Sequence, residues 1–236
     1  MAVYEFHTRV SYDDIGEDRS LTLRGAMSMM QEAAIIHSDM IGYSINDVQR
    51  THVIWMLIQW RIRMIGKAFW NDRVIVKTWP RTMERATSER DFKIVDEAGK
   101  TVAIGESFWV LVNADTGRIA RIPPEILRAY DLTAESVFED EFCEPRFEAG
   151  GLTASGVVLR RDIDTNHHVN NRVYLDYAAE VLPDGVAERS GEVFVRYRKQ
   201  LLLGQSFYSA YKHSEKVHGV DICDENGNVH ASVIYT

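Results

Sequence analysis

Within the segment RDIDTNHHVNNRVYLDYAAE, residues 161–180, an acid, several amides and a histidine stand directly before an apolar pattern of helical period. Asp164, Asn166 and His168 are spaced two apart, so an extended chain would aim all three side chains the same way. Three polar groups would then converge on one small volume, with the positive end of a helix close by to favour a carboxylate or a developing oxyanion. The same residue types are ordinary helix caps and turn formers, so capping and catalysis both remain open on these letters alone. The adjacent pair His167 and His168 raises the question of a metal. Neighbours in an extended segment face opposite ways, and no Cys or carboxylate pattern with ligand spacing accompanies them, so no metal site is expected.

The element that must position these groups is the helix that follows, with apolar positions Val173, Tyr174, Tyr177, Ala178 and Val181, running to Glu180 and capped by Asn170 or Asn171. The whole chain reads as one unit written twice. The first copy has a strand through Val10, the stretch DDIGEDRS, and a helix from Leu23 to Met40 ended by Gly42, with an apolar face of Met29, Met30, Ala33, Ile36 and Met40. Alternation of Ile54, Met56, Ile58, Trp60, Ile62 and Met64 predicts a strand with one buried face, its other face polar at Gln59, Arg61 and Arg63. Strands around 74–79, 90–95 and 102–112 follow. The second copy repeats the order with shorter parts. The clearest internal echo is VDEAGKTVA against CDENGNVHA, with Asp, Glu and Gly at the same offsets between two strands. Two copies of strand, helix and antiparallel strands imply one helix wrapped by a sheet in each unit, residues 1–128 and 151–236, joined across an acidic, weakly periodic linker at 129–150.

Composition bounds the function. With 236 residues and 45% hydrophobic content the chain can fill a sizeable core, and it contains no apolar tract long enough to span a membrane and no apolar leader at its start. Membrane insertion is not expected, and the cytoplasm is the expected compartment. The two cysteines, Cys143 and Cys223, lie in unrelated contexts, which suits a reducing compartment and no disulfide framework. A net charge of -8 argues against a nucleic-acid partner. Local basic clusters, such as Arg61, Arg63 and Lys67, or Arg196, Arg198 and Lys199, could still dock an acidic protein, although most such residues simply solvate sheet faces.

The string DIDTNHHVNNRVYLDYAAE resembles the catalytic segment of the acyl-acyl carrier protein thioesterases, the FatA/FatB type of plants and its bacterial relatives. The stretches RIRMIGKAFWNDRVIVKTWP, ERDFKIVDEAGKTVAIGESFWVLVN and RIARIPPEIL resemble that family in order and spacing as well, so the likeness covers nearly the whole chain. It implies an α+β tandem hotdog fold, each unit a long helix wrapped by an antiparallel sheet, with Asp164, Asn166 and His168 as the catalytic trio. Hydrolysis of fatty acyl-acyl carrier protein, releasing free fatty acid and ending chain elongation, is the expected reaction. The implied partner is the carrier protein bearing a phosphopantetheine-linked acyl chain, and no cofactor is implied. Plant members are expected to carry a transit peptide, so the start of this chain points to a bacterial source. In the first copy, DDIGEDRSLTLRG lacks the Asn/His pair, and its Met-rich helix, through Met29, Met30 and Ala33, is the expected lining of the acyl chain. One position departs from the family: where a later Y-R-x-E string is usual, this chain has Tyr197, Arg198, Lys199 and Gln200, an amide that cannot take a proton. An acyl-coenzyme A thioesterase is the alternative, and a non-catalytic acyl-binding protein a further one. Both a monomer and a homodimer are compatible with fused units.

Overall fold

The computed structural model describes residues 3–144 and 147–236, and the chain divides into two compact units at Asp140 and Glu141. In the first, strand β1 (Tyr4–Arg9) leads to helix α1 (Leu23–Met40), a short helix α2 (Val48–Thr51), strands β2 (Val53–Met64), β3 (Arg73–Glu84), β4 (Thr87–Asp96) and β5 (Thr101–Asn113), and helix α3 (Pro124–Ala129). The strands are antiparallel in the order β1-β3-β4-β5-β2. The second unit has β6 (Glu148–Val157), helices α4 (Val173–Ala179) and α5 (Val186–Arg189), then β7 (Glu192–Tyr197), β8 (Ser206–Ser214), β9 (Val217–Asp224) and β10 (Val229–Tyr235). Its strand order, β6-β8-β9-β10-β7, repeats that of the first unit strand for strand. Each unit is thus a hotdog: a helix laid on one face of an antiparallel sheet whose inward positions form the core.

The internal echo is atomic. In the β4–β5 turn the Asp96 carboxylate accepts the Ala98 and Lys100 N–H groups and Gly99 takes φ +80°. In the β9–β10 turn Asp224 accepts from Asn226 and Asn228 and Gly227 also takes φ +80°. Only glycine enters that left-handed region without cost, which is why the Asp and Gly recur at fixed offsets.

Helix α1 has the expected limits, with Thr22 accepting the Gly25 N–H at its start and Gly42 at φ +78° beyond its end. Its buried stripe is Leu23, Ala26, Met27, Met30, Ala33, Ala34 and His37, the true 3.6-residue period. Ile36 is only half-buried and Met40 is exposed, contrary to the expected face; Ile36 points about 100° away from its neighbour His37, and Met40 is the last residue of the helix. Strand β2 also departs from strict alternation. A bulge between Leu57 and Gln59 shifts the register, so Leu57 faces inward before it and Trp60 and Ile62 after it.

Arg61 was expected on a solvated face, yet it is 2% exposed. The acidic stretch after α3 covers it. Asp140 accepts from Arg61 (2.6 Å) and Arg63 (3.1 Å), which hold its carboxyl down to about 2. The Arg61 guanidinium stacks 4.0 Å over Phe138, and the Val137 N–H donates to the buried Asp91 carboxylate. The front of the expected linker therefore straps the outer sheet face of the first unit, its residues 145–146 lie outside the described residues, and β6 begins at Glu148. In the second unit the helix is short: α4 stops at Ala179, and Pro183 and Gly185 separate it from α5. A single long helix in both copies was expected; only the first has one.

Two side chains set the first core. Met30, fully buried, lies over Gly105, where a Cβ would come 2.6 Å from its sulfur. Gly105→Ala is expected to lower stability by about 1–3 kcal/mol in chemical denaturation, because Met30 has no empty space to move into. His37, at the end of α1, has Nδ1 3.0 Å from the Arg90 guanidinium, and burial followed by that guanidinium lowers its pKa to about 4. A histidine depressed in the folded state binds fewer protons than in the unfolded chain between pH 6.5 and 4, so stability is lost as pH falls through that window. His37→Gln should flatten the decline, by up to about 2–3 kcal/mol at pH 4, in melts recorded across that range.

Candidate active site

Local sequence chemistry bends residues 158–172 into a compact loop. A single 3-10 turn at Arg160–Asp162 opens it. The Asp162 carboxylate accepts the Leu159 N–H (2.8 Å) and the Tyr177 hydroxyl (2.9 Å), and its carbonyl accepts the Asn170 N–H (2.8 Å). Ile163 and Val169 then form an isolated antiparallel bridge, closing the five residues between them into a turn. The Asp164 N–H donates to the His168 carbonyl (2.8 Å) and the His167 N–H to that of Asp164 (3.1 Å), with His167 at φ +63°.

The segment is therefore a turn, and the extended run expected to align Asp164, Asn166 and His168 does not form. The reason is the acid itself. Asp164 Oδ1 accepts the N–H of Asn166 (2.8 Å) and that of His168 (3.4 Å), and a side chain that satisfies its own downstream backbone folds the chain back. Proximity survives by another route, since the turn sets Asp164 and His168 across from each other at its base. Asp164 and His168 are half-buried and Asn166 is exposed at the tip. His168 Nδ1 is buried and has no hydrogen-bond partner among the described residues. Asn170, one of the two expected caps, accepts the Arg172 N–H (3.1 Å) ahead of α4, whereas Asn171 uses its carbonyl to accept the Tyr197 hydroxyl (2.8 Å). With only seven residues, α4 offers a weaker dipole than expected.

Hydrogen bonds fasten the end of this loop and the start of α4 to the chain leaving β7. The Val169 N–H donates to the Leu201 carbonyl (3.0 Å), the Leu201 N–H to the Tyr174 hydroxyl (3.1 Å), and Tyr197 to Asn171 as above. Gln200, exposed, immediately precedes Leu201, whose carbonyl is the partner of Val169. Burial pushes the Tyr174 phenol up to about 12, with a smaller push from the Asp164 carboxylate, so it stays protonated as an anchor. Tyr174, Tyr197 and Asp162 are residues that sequence reasoning passed over. The spacing of Tyr174 and Tyr177 within the helix, and the Asp two residues before Asp164, were the available signals.

The first copy keeps this scaffold bond for bond. Gly16 donates to Ser20 as Asp164 does to His168, Arg19 to Gly16 as His167 to Asp164, Thr22 to Asp14 as Asn170 to Asp162, and Leu21 to Ala68 as Val169 to Leu201. Arg19 even shares φ +63° with His167. Gly16, Asp18, Ser20 and Lys67 thus occupy the positions of Asp164, Asn166, His168 and Gln200. Lys67 Nζ lies 3.0 Å from Asp18 Oδ2, so a side chain at the Gln200 position reaches the one at the Asn166 position on this scaffold.

The expected acyl-lining residues Met29, Met30 and Ala33 are buried in the first unit on α1. Cys143 is exposed and Cys223 buried, both free, and burial pushes the Cys223 thiol up. Among the described residues no cluster of three or more His, Cys, Asp or Glu side chains could hold a metal ion, and no helix is long and apolar enough to cross a membrane.

The family model of the acyl-ACP thioesterase N-terminal domain matches residues 2–130, and that of the C-terminal domain matches residues 154–235. The chain is 27% identical over 203 residues to the chloroplastic palmitoyl-acyl carrier protein thioesterase of Arabidopsis thaliana, which covers 79% of this chain and 49% of the relative. It spans about half the length of the curated relatives it matches. The crystal structure of an acyl-ACP thioesterase from Bacteroides thetaiotaomicron superposes with a TM-score of 0.87 at 17% identity, over 99% of this chain and 97% of that one. The 12:0-ACP thioesterase from Umbellularia californica superposes with a TM-score of 0.85 at 23% identity, over 100% and 96%. Two consecutive domain matches in the right order, on a duplicated hotdog whose second copy holds the Asp, Asn and His on a pinned turn, make this chain a member of the acyl-ACP thioesterase family.

Proposed function

We propose that this protein hydrolyses the thioester of fatty acyl-acyl carrier protein, releasing free fatty acid and the carrier thiol and so ending chain elongation. The observation that carries the reading is the turn at 163–169, which sets Asp164 and His168 across from each other and leaves His168 Nδ1 buried without a hydrogen-bond partner among the described residues. A ring nitrogen so placed is suited to a reacting water, since burial without a partner is costly unless the group is used.

In this mechanism His168 takes a proton from water as the water oxygen attacks the thioester carbonyl carbon. Asn166, at the exposed tip, donates to the developing oxyanion, and the side chain of Gln200 braces it, as Lys67 reaches Asp18 in the other copy. Collapse of the tetrahedral intermediate breaks the C–S bond, and the departing thiolate receives the proton from His168. Asp164 spends Oδ1 on the N–H groups of residues 166 and 168, so its first duty is to hold the turn. The two free cysteines suit a reducing compartment such as the cytoplasm.

Steady-state assays on an acyl-carrier substrate test this assignment. His168→Ala should lower kcat by about 10²-fold or more with the fold intact by circular dichroism. Gln200→Ala, which removes one neutral hydrogen-bonding group, should cost roughly tenfold or less. Single turnovers in oxygen-18 water should place the label in the fatty acid and none in Asp164. Label in the Asp164 carboxylate would make that residue the nucleophile, and unaltered turnover in the His168 variant would remove it from the chemistry.

A further inference from the structure

The two copies of the loop differ in charge where they are alike in backbone, and the difference lies at the rim of the catalytic turn. Pairing of the Val158 N–H with Gln205 and of the Gly204 N–H with Val158 sets the chain at Leu159 beside Leu202 and Leu203. These three side chains are 46%, 43% and 50% exposed. Arg160 and Arg161 follow directly, both exposed, and Arg161 stands three residues before Asp164. Its Nε lies 3.8 Å from the Asp162 carboxylate, a loose contact, and 82% of its side chain is open to solvent.

The first copy serves as an internal control. Its backbone pairings are the same, Val10 to Asp72 and Asn71 to Val10, and Phe69 and Trp70 stand exposed where Leu202 and Leu203 do. Where the catalytic copy has Arg160 and Arg161, however, it has Tyr12 and Asp13. Apolar exposure is therefore common to both rims, whereas the paired arginines occur only beside the Asp, Asn and His. In a chain of net charge -8, an acidic partner is repelled by the average surface and must be steered by a local positive rim.

We propose that the apolar knob of Leu159, Leu202 and Leu203 with the exposed pair Arg160 and Arg161 is the docking surface for the acidic carrier protein that delivers the acyl chain. The inference rests on the carrier-linked substrate proposed above. Two exposed arginines serve chiefly in encounter and orientation, and their effect belongs in KM and salt dependence and not in the chemical step.

The test compares one acyl chain presented on carrier protein, on coenzyme A and on pantetheine, using the full chain and the variants Arg160→Glu, Arg161→Glu and their double, with Asp13→Arg as a control on the other rim. The double variant is expected to raise KM for the carrier substrate at least tenfold, to flatten its dependence on salt, and to leave kcat on acyl-pantetheine unchanged, while Asp13→Arg changes none of these. The unchanged pantetheine rate shows that the catalytic turn still folds. Equal losses on carrier protein and coenzyme A, with pantetheine spared, would mean that the arginines read a phosphate and would overturn the docking surface. So would a carrier KM unmoved by the double variant. A wild-type protein that does not favour the carrier over coenzyme A would overturn the substrate reading itself.

Discussion

The Val169 N–H to Leu201 carbonyl bond, with its counterpart from Leu21 to Ala68, is the constraint on which each unit depends. Between a first strand and a helix the chain must cross the mouth of the sheet without a strand partner of its own. Backbone pairs to the segment leaving the second strand, this one at the helix end and Val158 with Gln205 at the strand end, hold that crossing in place, and side chains supply the rest. In the second copy the Asp162 carboxylate ties the start of the loop to α4 through Tyr177, while Tyr174 and Tyr197 close its end. A turn of five residues cannot be rigid alone; here the Asp164 carboxylate satisfies N–H groups within it, while Asp162, Tyr174 and Tyr197 bond the backbone on either side and offset the ordering entropy.

Duplication explains the division of labour. Both copies need the scaffold to fold, so its hydrogen bonds recur even where the side chains have diverged. Asp18, Ser20 and Lys67 in the first copy satisfy one another at the surface, with Ser20 and Lys67 both donating to the Asp18 carboxylate. In the second copy, by contrast, His168 Nδ1 is buried with no hydrogen-bond partner among the described residues. The first copy instead invests in a long helix and a densely filled core, where His37, Arg90 and Thr78 are buried together and Met30 fills the space opened by Gly105.

Much of this was legible in the residues. The extent of α1 follows from the apolar period and Gly42, and the Asp–Gly turns after β4 and β9 follow from the echo between VDEAGKTVA and CDENGNVHA. Misreadings share a cause: a neighbour distant in the chain, or a competing local bond, overrode a local pattern. Arg61 reads as a solvated strand residue until Asp140 and Phe138 are laid across it. Ile58 reads as buried until a bulge shifts the register. Asp164, Asn166 and His168 read as one face of an extended chain, because period-two spacing says nothing about a carboxylate folding back onto the N–H groups that follow it.

What the sequence by itself determined was residue chemistry and repetition: which acid, amide and imidazole are available, that the unit occurs twice, and that only one copy carries the trio. These are properties of types and offsets, which need no knowledge of folding partners. Only tertiary structure decided that the turn bearing Asp164 and His168 is pinned to the chain after β7 through the pairing of Val169 with Leu201, and that Tyr174 and Tyr197 lock the loop. Those relations join residues some thirty positions apart, and a hydrogen bond across that distance exists only once the sheet and helix have brought its two ends together.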